Sequence, residues 1–396
     1  MSRKLIDGSF GIKTRAVHSG NEVDKETGAI RRPITMANSY ALPYDPSDLN
    51  WSSSEGGIYT RNGGANQRYL EQKLTDLESG EDCVVLASGV SALSAVFFTF
   101  LKSGDHAVFS DNTYIAAYRL LHELLPSKYG IETSMVDTSR IDEVRSAIRP
   151  NTRLIHIETP ANPTLKISDI KEIAEISKSI GSIFSVDNTF ASPCNQRPLE
   201  LGANLCVESL TKYINGHGDA MGGAVIGNSN LIKRIRQEAM VNQGATASPF
   251  NAWLIMRGSV TLPLRMRQHN ESALEIAKFL ESRKEVRFVD YPGLESHSGH
   301  EIAARQMQGF GGVMAFGLEA SNDAHNRFVS FLRVITSAVS LGHDESLIVF
   351  LGENDERRDL YPEHFRKGFF RFSVGLEDAF DLIKDISQAL DKTFPR

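Results

Sequence analysis

The stretch RLIHIETPANPTLKISDIKEIAEISKSIGSIFSVDN, residues 153–188, decides the fold. It opens on one mostly apolar run (153–159) and closes on another (182–188). Between them lies DIKEIAEISKSIG, whose isoleucines recur at helical spacing before a glycine stop. Neither outer run alternates strictly with polar residues, so both strands are expected to be covered on both faces. A strand, a helix and a second strand in that order close as a parallel pair with a helical crossover.

The pattern repeats outward. CVVLAS (83–88), HAVFS (106–110), TSMVD (133–137), LCVESL (205–210) and AVIG (224–227) are further short β-rich runs. Most are separated by amphipathic segments such as SALSAVFFTFLKSG and SRIDEVRSAIRP. The reading is α/β, with a mostly parallel central sheet carrying helices on both faces. Upstream, NQRYLEQKLTDLESG sets Tyr69, Leu70, Leu74 and Leu77 on one helical face and stops at Gly80. Residues 1–60 hold several turn formers and few periodic segments, and read as an irregular arm that must pack on a neighbour. Residues 61–257 form the large domain. From 258 the order changes, after a long helix broken near Gly258 and Pro263, and 258–396 reads as a smaller α+β domain with strands VRFVD, GVMAFGLE and FFRFSVG.

Length and charge narrow the function. A chain of 396 residues and 43.8 kDa buries a large core without disulfides or structural metal. The formal charge of −6 and the absence of a basic stripe argue against nucleic acid. Cys83, Cys194 and Cys206 are odd in number and widely spaced, so neither a disulfide framework nor a metal site is written here. MSRKLIDGSF has no apolar core of a signal peptide, and no run nears the ~18 apolar residues of a membrane helix. A cytoplasmic protein acting on a small molecule is expected.

Several segments point to chemistry. In VESLTKYINGHGDAMGG, Ser209, Thr211 and Lys212 follow an apolar strand and precede a glycine-rich turn, where groups face the ligand crevice of an α/β sheet. A lysine there can join a carbonyl cofactor as a Schiff base, and it can equally be a solvated loop cation. Asp187 ends SIFSVD, one or two strands away. It is either the carboxylate for a protonated pyridine nitrogen or a helix cap. ASGVSALSAVFF sets Ser88, Gly89 and Val90 at a strand-to-helix turn suited to one phosphate, without the glycine pattern of a nucleotide loop. Tyr114 follows a strand and can stack on a flat ring or serve the core. Tyr59 and Arg61, in GIYTRNGG, can reach a phosphate in their own or another subunit, or lie in an exposed loop. Arg371 is a lone cation in an apolar strand, placed to clamp a carboxylate or to pair with Glu377 or Asp378.

Together these segments closely resemble the Cys/Met-metabolism family of pyridoxal-phosphate enzymes. The likeness runs in family order from TRAVHSG through GIYTR, ASGVSAL, ETPANPT, VDNTFASP, ESLTKYINGHGDAMGG, SPFNAWLIMRG and SLGHDESL to RFSVGLED. The resemblance implies the type I aminotransferase-like fold, pyridoxal 5'-phosphate as cofactor and a homotetramer built as a dimer of dimers. By it Lys212 is the Schiff-base lysine and Asp187 the pyridinium partner. Gly89, Val90, Ser209 and Thr211 hold the phosphate, joined by Tyr59 and Arg61 from the adjoining subunit's arm. Tyr114 stacks on the ring and assists proton transfer. Asn162, Ser340 and Arg371 hold the substrate.

The departures from the family pattern bear on the substrate. Ile115, Ala116 and Ala117 replace the family's Gly-Gly-Thr or Gly-Cys-Thr. Met240-Val241 stands where methionine γ-lyases carry Lys-Asp, and Val339 where cystathionine-handling enzymes carry Glu. The expectation is γ-elimination on an oxygen-linked homoserine-type substrate such as canavanine, with Asp344, Glu345 or Asp45 facing its guanidine. The alternatives are a methionine or cystathionine γ-lyase and a γ-replacing synthase or sulfhydrylase.

Overall fold

The computed structural model describes residues 9–47, 49, 58–319, 321–352 and 355–395. Seven strands form the first sheet: β1 (Asp82–Leu86), β2 (His106–Ser110), β3 (Glu132–Val136), β4 (Thr152–Glu158), β5 (Ile183–Asp187), β6 (Leu205–Glu208) and β7 (Gly223–Gly227). Their spatial order is β1-β7-β6-β5-β4-β2-β3. The pairs β2/β3, β2/β4, β4/β5 and β5/β6 are parallel, and β7 runs antiparallel to both β1 and β6. The expected mostly parallel sheet is therefore present. Its reversed strand follows from residues 209–222, which join β6 to β7 without a crossover helix.

Successive residues of β4 point to opposite faces, and each face has its own helical cover. Leu154 packs with the helix Gly89–Phe100 through Leu93, Val96 and Phe97, whereas Ile155 and Ile157 pack with the helix Ile170–Ile180 through Ile173 and Ile176. The helix Ala65–Glu78 buries Leu70, Leu74 and Leu77 completely. It ends at Ser79, in the left-handed region at φ 58°, rather than at Gly80. The glycine serves another need: a Cβ at position 80 would lie 2.5 Å from Ile226 Cγ2 on β7.

The second sheet comprises β8 (Val286–Asp290), β9 (Val313–Leu318), β10 (Thr336–Ser337), β11 (Leu347–Leu351) and β12 (Phe369–Ser373), in the order β10-β11-β12-β9-β8. It is antiparallel except for the β10/β11 pair. Ile276 and Leu280 of the helix Leu262–Glu281 and Leu382 and Ile386 of Ala379–Thr393 cover it with Met314 and Phe316. Strands β10 and β11 are additions to the sequence reading.

The helix expected to break near Gly258 and Pro263 does so, as Pro249–Gly258, a turn at Ser259–Thr261, and Leu262–Glu281. The break positions the loop after β6. A Cβ at Gly258 would come within 2.3 Å of the Asn215 carbonyl, and Arg265 donates to the Tyr213 and Ile214 carbonyls at 2.7 and 3.2 Å.

The arm is less irregular than its sequence suggests. It carries a helix, Ile12–His18, whose Ala16 carbonyl accepts from the buried Lys73 ammonium, and Trp253 Nε1 donates to the Arg32 carbonyl at 3.0 Å. All three cysteines are free thiols. Among the described residues, no helix is long and apolar enough to cross a membrane.

Candidate active site

A cavity of about 810 Å³ opens at the carboxyl ends of β4, β5 and β6. Its lining includes Ser88, Gly89, Val90, Tyr114, Asn162 and Asp187, together with Ser209, Thr211, Lys212, Ser340 and Arg371. The fold thus gathers the candidates from positions 89 to 371 into one space. Tyr59 and Arg61 do not line it. The Arg61 guanidinium lies 5.1 Å from the Tyr59 ring centre, and Thr246 Oγ1 donates to the Arg61 carbonyl at 2.9 Å.

Lys212 follows β6 in the loop fastened by Arg265. Its Nζ donates to Ser340 Oγ at 2.8 Å. Burial, and then the Arg371 guanidinium, push its ammonium down to about 8, so the amine is far more available than an ordinary lysine's. Asp187 closes β5, pairs in register with Val207, and accepts the Thr189 amide at 3.0 Å. It caps no helix, since the next one begins at Ser192 with Ala191 at its N-cap, and burial pushes its carboxyl up. That carboxylate, 6 % exposed, suits a buried cationic partner.

Next to Asp187 the chain builds a narrow cradle. Ser88 caps the helix Gly89–Phe100, its Oγ accepting from the Ser91 amide at 3.1 Å. A Cβ at Gly89 would fall 2.8 Å from Ser209 Oγ, and one at Gly223 would fall 2.0 Å from the Ser88 carbonyl. Glycine at both positions lets a helix N-terminus and the hydroxyls of Ser209 and Thr211 converge. Thr211 Oγ1 is fixed by the Gly222 carbonyl and amide, each at 3.2 Å, and Ser209 N donates to Thr189 Oγ1 at 2.9 Å. Such a cradle accepts one phosphate. A phosphate cradle, a low-pKa lysine and a buried carboxylate at one strand edge fit pyridoxal phosphate.

Arg371 projects from β12. It donates to Asn162 Oδ1 at 3.2 Å and to the Ser340 carbonyl at 2.9 Å, both neutral oxygens, while its Nε is buried without a partner. Glu377, one of its candidate structural partners, instead binds the amide and hydroxyl of Ser346 at 2.7 and 2.8 Å. Burial and the nearby Arg357 push the Arg371 guanidinium down, a cost that a bound carboxylate would offset. Tyr114 is 41 % exposed, which sets it on the cavity wall rather than in the core.

Glu158 escaped the sequence reading. Paired in register with Asp187, its carboxylate accepts from Thr113 Oγ1 at 2.8 Å, Tyr114 N at 2.7 Å and Asn162 N at 2.8 Å. It thereby orients two candidate residues. Burial, then the Asp187 charge, push it up to about 8. Its signal was its place at the carboxyl end of an otherwise apolar strand.

The acids expected near a guanidine do not line this chain's cavity. Neither Asp344 nor Glu345 lines the cavity, because the turn after Leu341 leads into β11 and the Asp344 carbonyl is tied to Leu376 N at 2.8 Å. Asp45 sits on the exposed arm, where its carboxylate accepts the Ser47 amide at 3.0 Å. Asp355, Glu356 and Arg357 line the cavity instead. Of the departures, Val339 is on the cavity wall and 76 % exposed, whereas Met240 and Val241 are buried in the core behind the sheet.

Comparison with known proteins agrees with this geometry. Residues 13–391 match the family model described as Cys/Met metabolism PLP-dependent enzyme. The canavanine gamma-lyases of Rhizobium leguminosarum bv. trifolii and Pseudomonas canavaninivorans are each 57 % identical over 390 residues, covering 98 % of this chain and 97 and 98 % of their own. The cystathionine gamma-lyase of Bacillus subtilis is 40 % identical over 96 % of this chain and 99 % of its own. The crystal structure of metB from Corynebacterium glutamicum superposes with a TM-score of 0.91 at 37 % identity, covering 98 % of this chain and all of that one.

Proposed function

The chain belongs to the Cys/Met metabolism PLP-dependent enzyme family, and from that premise we propose the following assignment of its substrate and residues. It is a pyridoxal-phosphate-dependent lyase that eliminates the γ substituent of an L-amino acid, with the oxygen-linked canavanine favoured over methionine and cystathionine. The observation that carries this reading is the convergence of Lys212, Asp187 and Arg371 on one cavity. The choice of canavanine draws on the 57 % identity to canavanine gamma-lyases, against 38 and 40 % to methionine and cystathionine gamma-lyases.

Bound in this cavity, pyridoxal phosphate supplies an electron sink for the pair left behind when a proton leaves Cα. The residues hold it and move protons. Lys212 would hold its carbonyl carbon, Asp187 would pair with its ring nitrogen, and Gly89, Val90, Ser209 and Thr211 would hold its phosphate. Tyr114 stacks on the ring. Arg371, Ser340 and Asn162 would hold the substrate carboxylate, and Ser340 Oγ also accepts from the Lys212 amine. Lys212, with its amine free, would take the Cα proton and, with Tyr114, would serve proton transfer at Cβ, which lets the γ substituent leave with its bonding electrons.

Tyr59 and Arg61 are proposed to complete the phosphate site of the adjoining subunit, in a homotetramer of two tight dimers. Their position outside their own chain's cavity supports that reading. The proposed organisation is an arm at 1–60, a cofactor-binding domain at 61–257 and a smaller domain at 258–396, in a cytoplasmic enzyme.

The test is a substrate panel of canavanine, O-acetylhomoserine, methionine and cystathionine, with Lys212→Ala as control. Release of hydroxyguanidine from canavanine, lost in Lys212→Ala and faster than methionine or cystathionine turnover, is expected. Preference for either thioether overturns the substrate assignment. A thioether product from O-acetylhomoserine and a thiol, without elimination, indicates a replacing synthase.

A further inference from the structure

We infer that Glu356 binds the guanidinium of the substrate's leaving group and thereby sets the preference for a guanidine-bearing side chain. The inference rests on the proposed reading of the substrate as canavanine and names the residue that recognises its far end.

Among the described residues, four carboxylates line the cavity: Asp187, Glu158, Asp355 and Glu356. The first two lie buried at the strand ends and are hydrogen-bonded there. Asp355 is also engaged. Its Oδ1 accepts from the Tyr361 hydroxyl at 3.0 Å and the Arg357 amide at 2.9 Å, and lies 3.5 Å from the Arg357 guanidinium. Its charge serves to hold Arg357, itself tied to the Thr113 carbonyl at 2.7 Å.

Glu356 differs. Its Oε1 accepts from a guanidinium nitrogen of Arg119 at 2.7 Å, with the two side chains 46 and 57 % exposed. The carboxylate therefore already receives a guanidinium, the planar fork that suits it. An exposed pair of this kind is weak, so a substrate guanidinium can displace Arg119 at little cost.

Charge elsewhere in the cavity directs the substrate the same way. Arg371, which donates only to neutral oxygens, attracts the α-carboxylate and repels a distal cation. Val339, Val349 and Leu351 provide apolar wall and no counter-charge. In canavanine the ether oxygen on the guanidine nitrogen withdraws electrons, so its guanidine is less basic than arginine's. A facing carboxylate holds that group protonated, and a protonated group leaves more readily.

The test uses the holoenzyme and the variants Glu356→Gln, Glu356→Asp and Arg119→Ala. Steady-state rates are measured on canavanine and on O-acetylhomoserine, which lacks the guanidine. Binding of L-arginine is followed by the change in cofactor absorbance. Glu356→Gln is expected to lower the canavanine to O-acetylhomoserine ratio of kcat/KM about three- to fivefold, mainly through KM, and to weaken L-arginine by a similar factor. Glu356→Asp should recover part of both, and Arg119→Ala should leave the arginine affinity equal or tighter. An unchanged ratio and unchanged arginine affinity in Glu356→Gln overturn the inference. So does a loss of arginine affinity in Arg119→Ala equal to that in Glu356→Gln, since the carboxylate would then act by anchoring its own segment. If the wild type does not cleave canavanine, the proposed substrate fails and the arginine titration alone decides the role of Glu356.

Discussion

The Nζ of Lys212 donates to Ser340 Oγ at 2.8 Å, joining the loop after β6 to the turn before β11. Ser340 holds a backbone φ of 96°, a region that L side chains seldom adopt. Arg371 fixes it there through the Ser340 carbonyl at 2.9 Å, and the Ser340 hydroxyl lies 3.1 Å from His343 Nε2. A residue kept in such a conformation by its neighbours is rigidly aimed.

Ser340→Ala removes the acceptor without disturbing that backbone. The expected outcome is a fall in kcat of about tenfold, the scale of one hydrogen bond to a charged group. Cofactor absorbance at saturation should be unchanged. Steady-state kinetics with a parallel spectral titration checks both, and full activity would show that Lys212 needs no tether.

The lowered Lys212 ammonium makes cofactor uptake depend on pH. Attack on the cofactor's aldehyde requires the neutral amine, which is the minor form below about 8. The rate of reconstitution of cofactor-free protein with pyridoxal phosphate should rise about tenfold per pH unit below that value and level off above it. An ordinary lysine would keep the rate rising until about 10.4. Stopped-flow absorbance between pH 6 and 10 distinguishes the two.

Asp187→Asn keeps the shape and the hydrogen bond from Thr189 but removes the charge. A cationic ring nitrogen would then lie buried without a partner, so it stays unprotonated and the electron sink weakens. Elimination should fall by on the order of a hundredfold, the scale of breaking a buried ion pair. Cofactor absorbance and kcat, measured together, separate lost chemistry from lost binding. Retention of wild-type kcat would remove Asp187 from its assigned role.

How far the sequence could be read follows from where each signal lay. The strand and helix alternation of residues 83–227 was legible because β4, β5 and their crossover helix are strongly patterned. Position after a strand likewise placed Lys212 and Asp187 at one edge, since parallel strands bring their carboxyl ends together. Strand β11 was missed although LIVFL is wholly apolar, because its partner Phe369–Ser373 lies beyond residues 352–368 in the chain. Asp355 and Glu356 were missed for a tertiary reason: nothing local distinguishes an acid in a charged stretch from one that lines a cavity. Asp344 and Glu345 stand next to the SLG motif but do not line this cavity, because the chain turns toward Leu376 there.

Behind Asp187 lies a second pair of carboxyls whose titration should govern stability. Glu78 and Glu208 are fully buried and share Asn188 Nδ2 at 3.3 and 3.0 Å, beside the Cys206 thiol. Burial pushes Glu78 up to about 7, and burial with the Glu78 charge pushes Glu208 up as well. A carboxyl raised on folding keeps a proton that the unfolded chain loses above about 4.5, so its contribution is full at low pH and disappears as pH rises through 7. Glu78→Gln imitates the protonated acid, accepting from Asn188 and donating toward Glu208. The wild type should therefore lose a few degrees of Tm relative to Glu78→Gln between pH 5 and 8, read by thermal unfolding of the two holoenzymes. A bound divalent cation would neutralise the pair in another way. In that case a chelator would lower the wild-type Tm, and Glu78→Gln would be less stable at every pH.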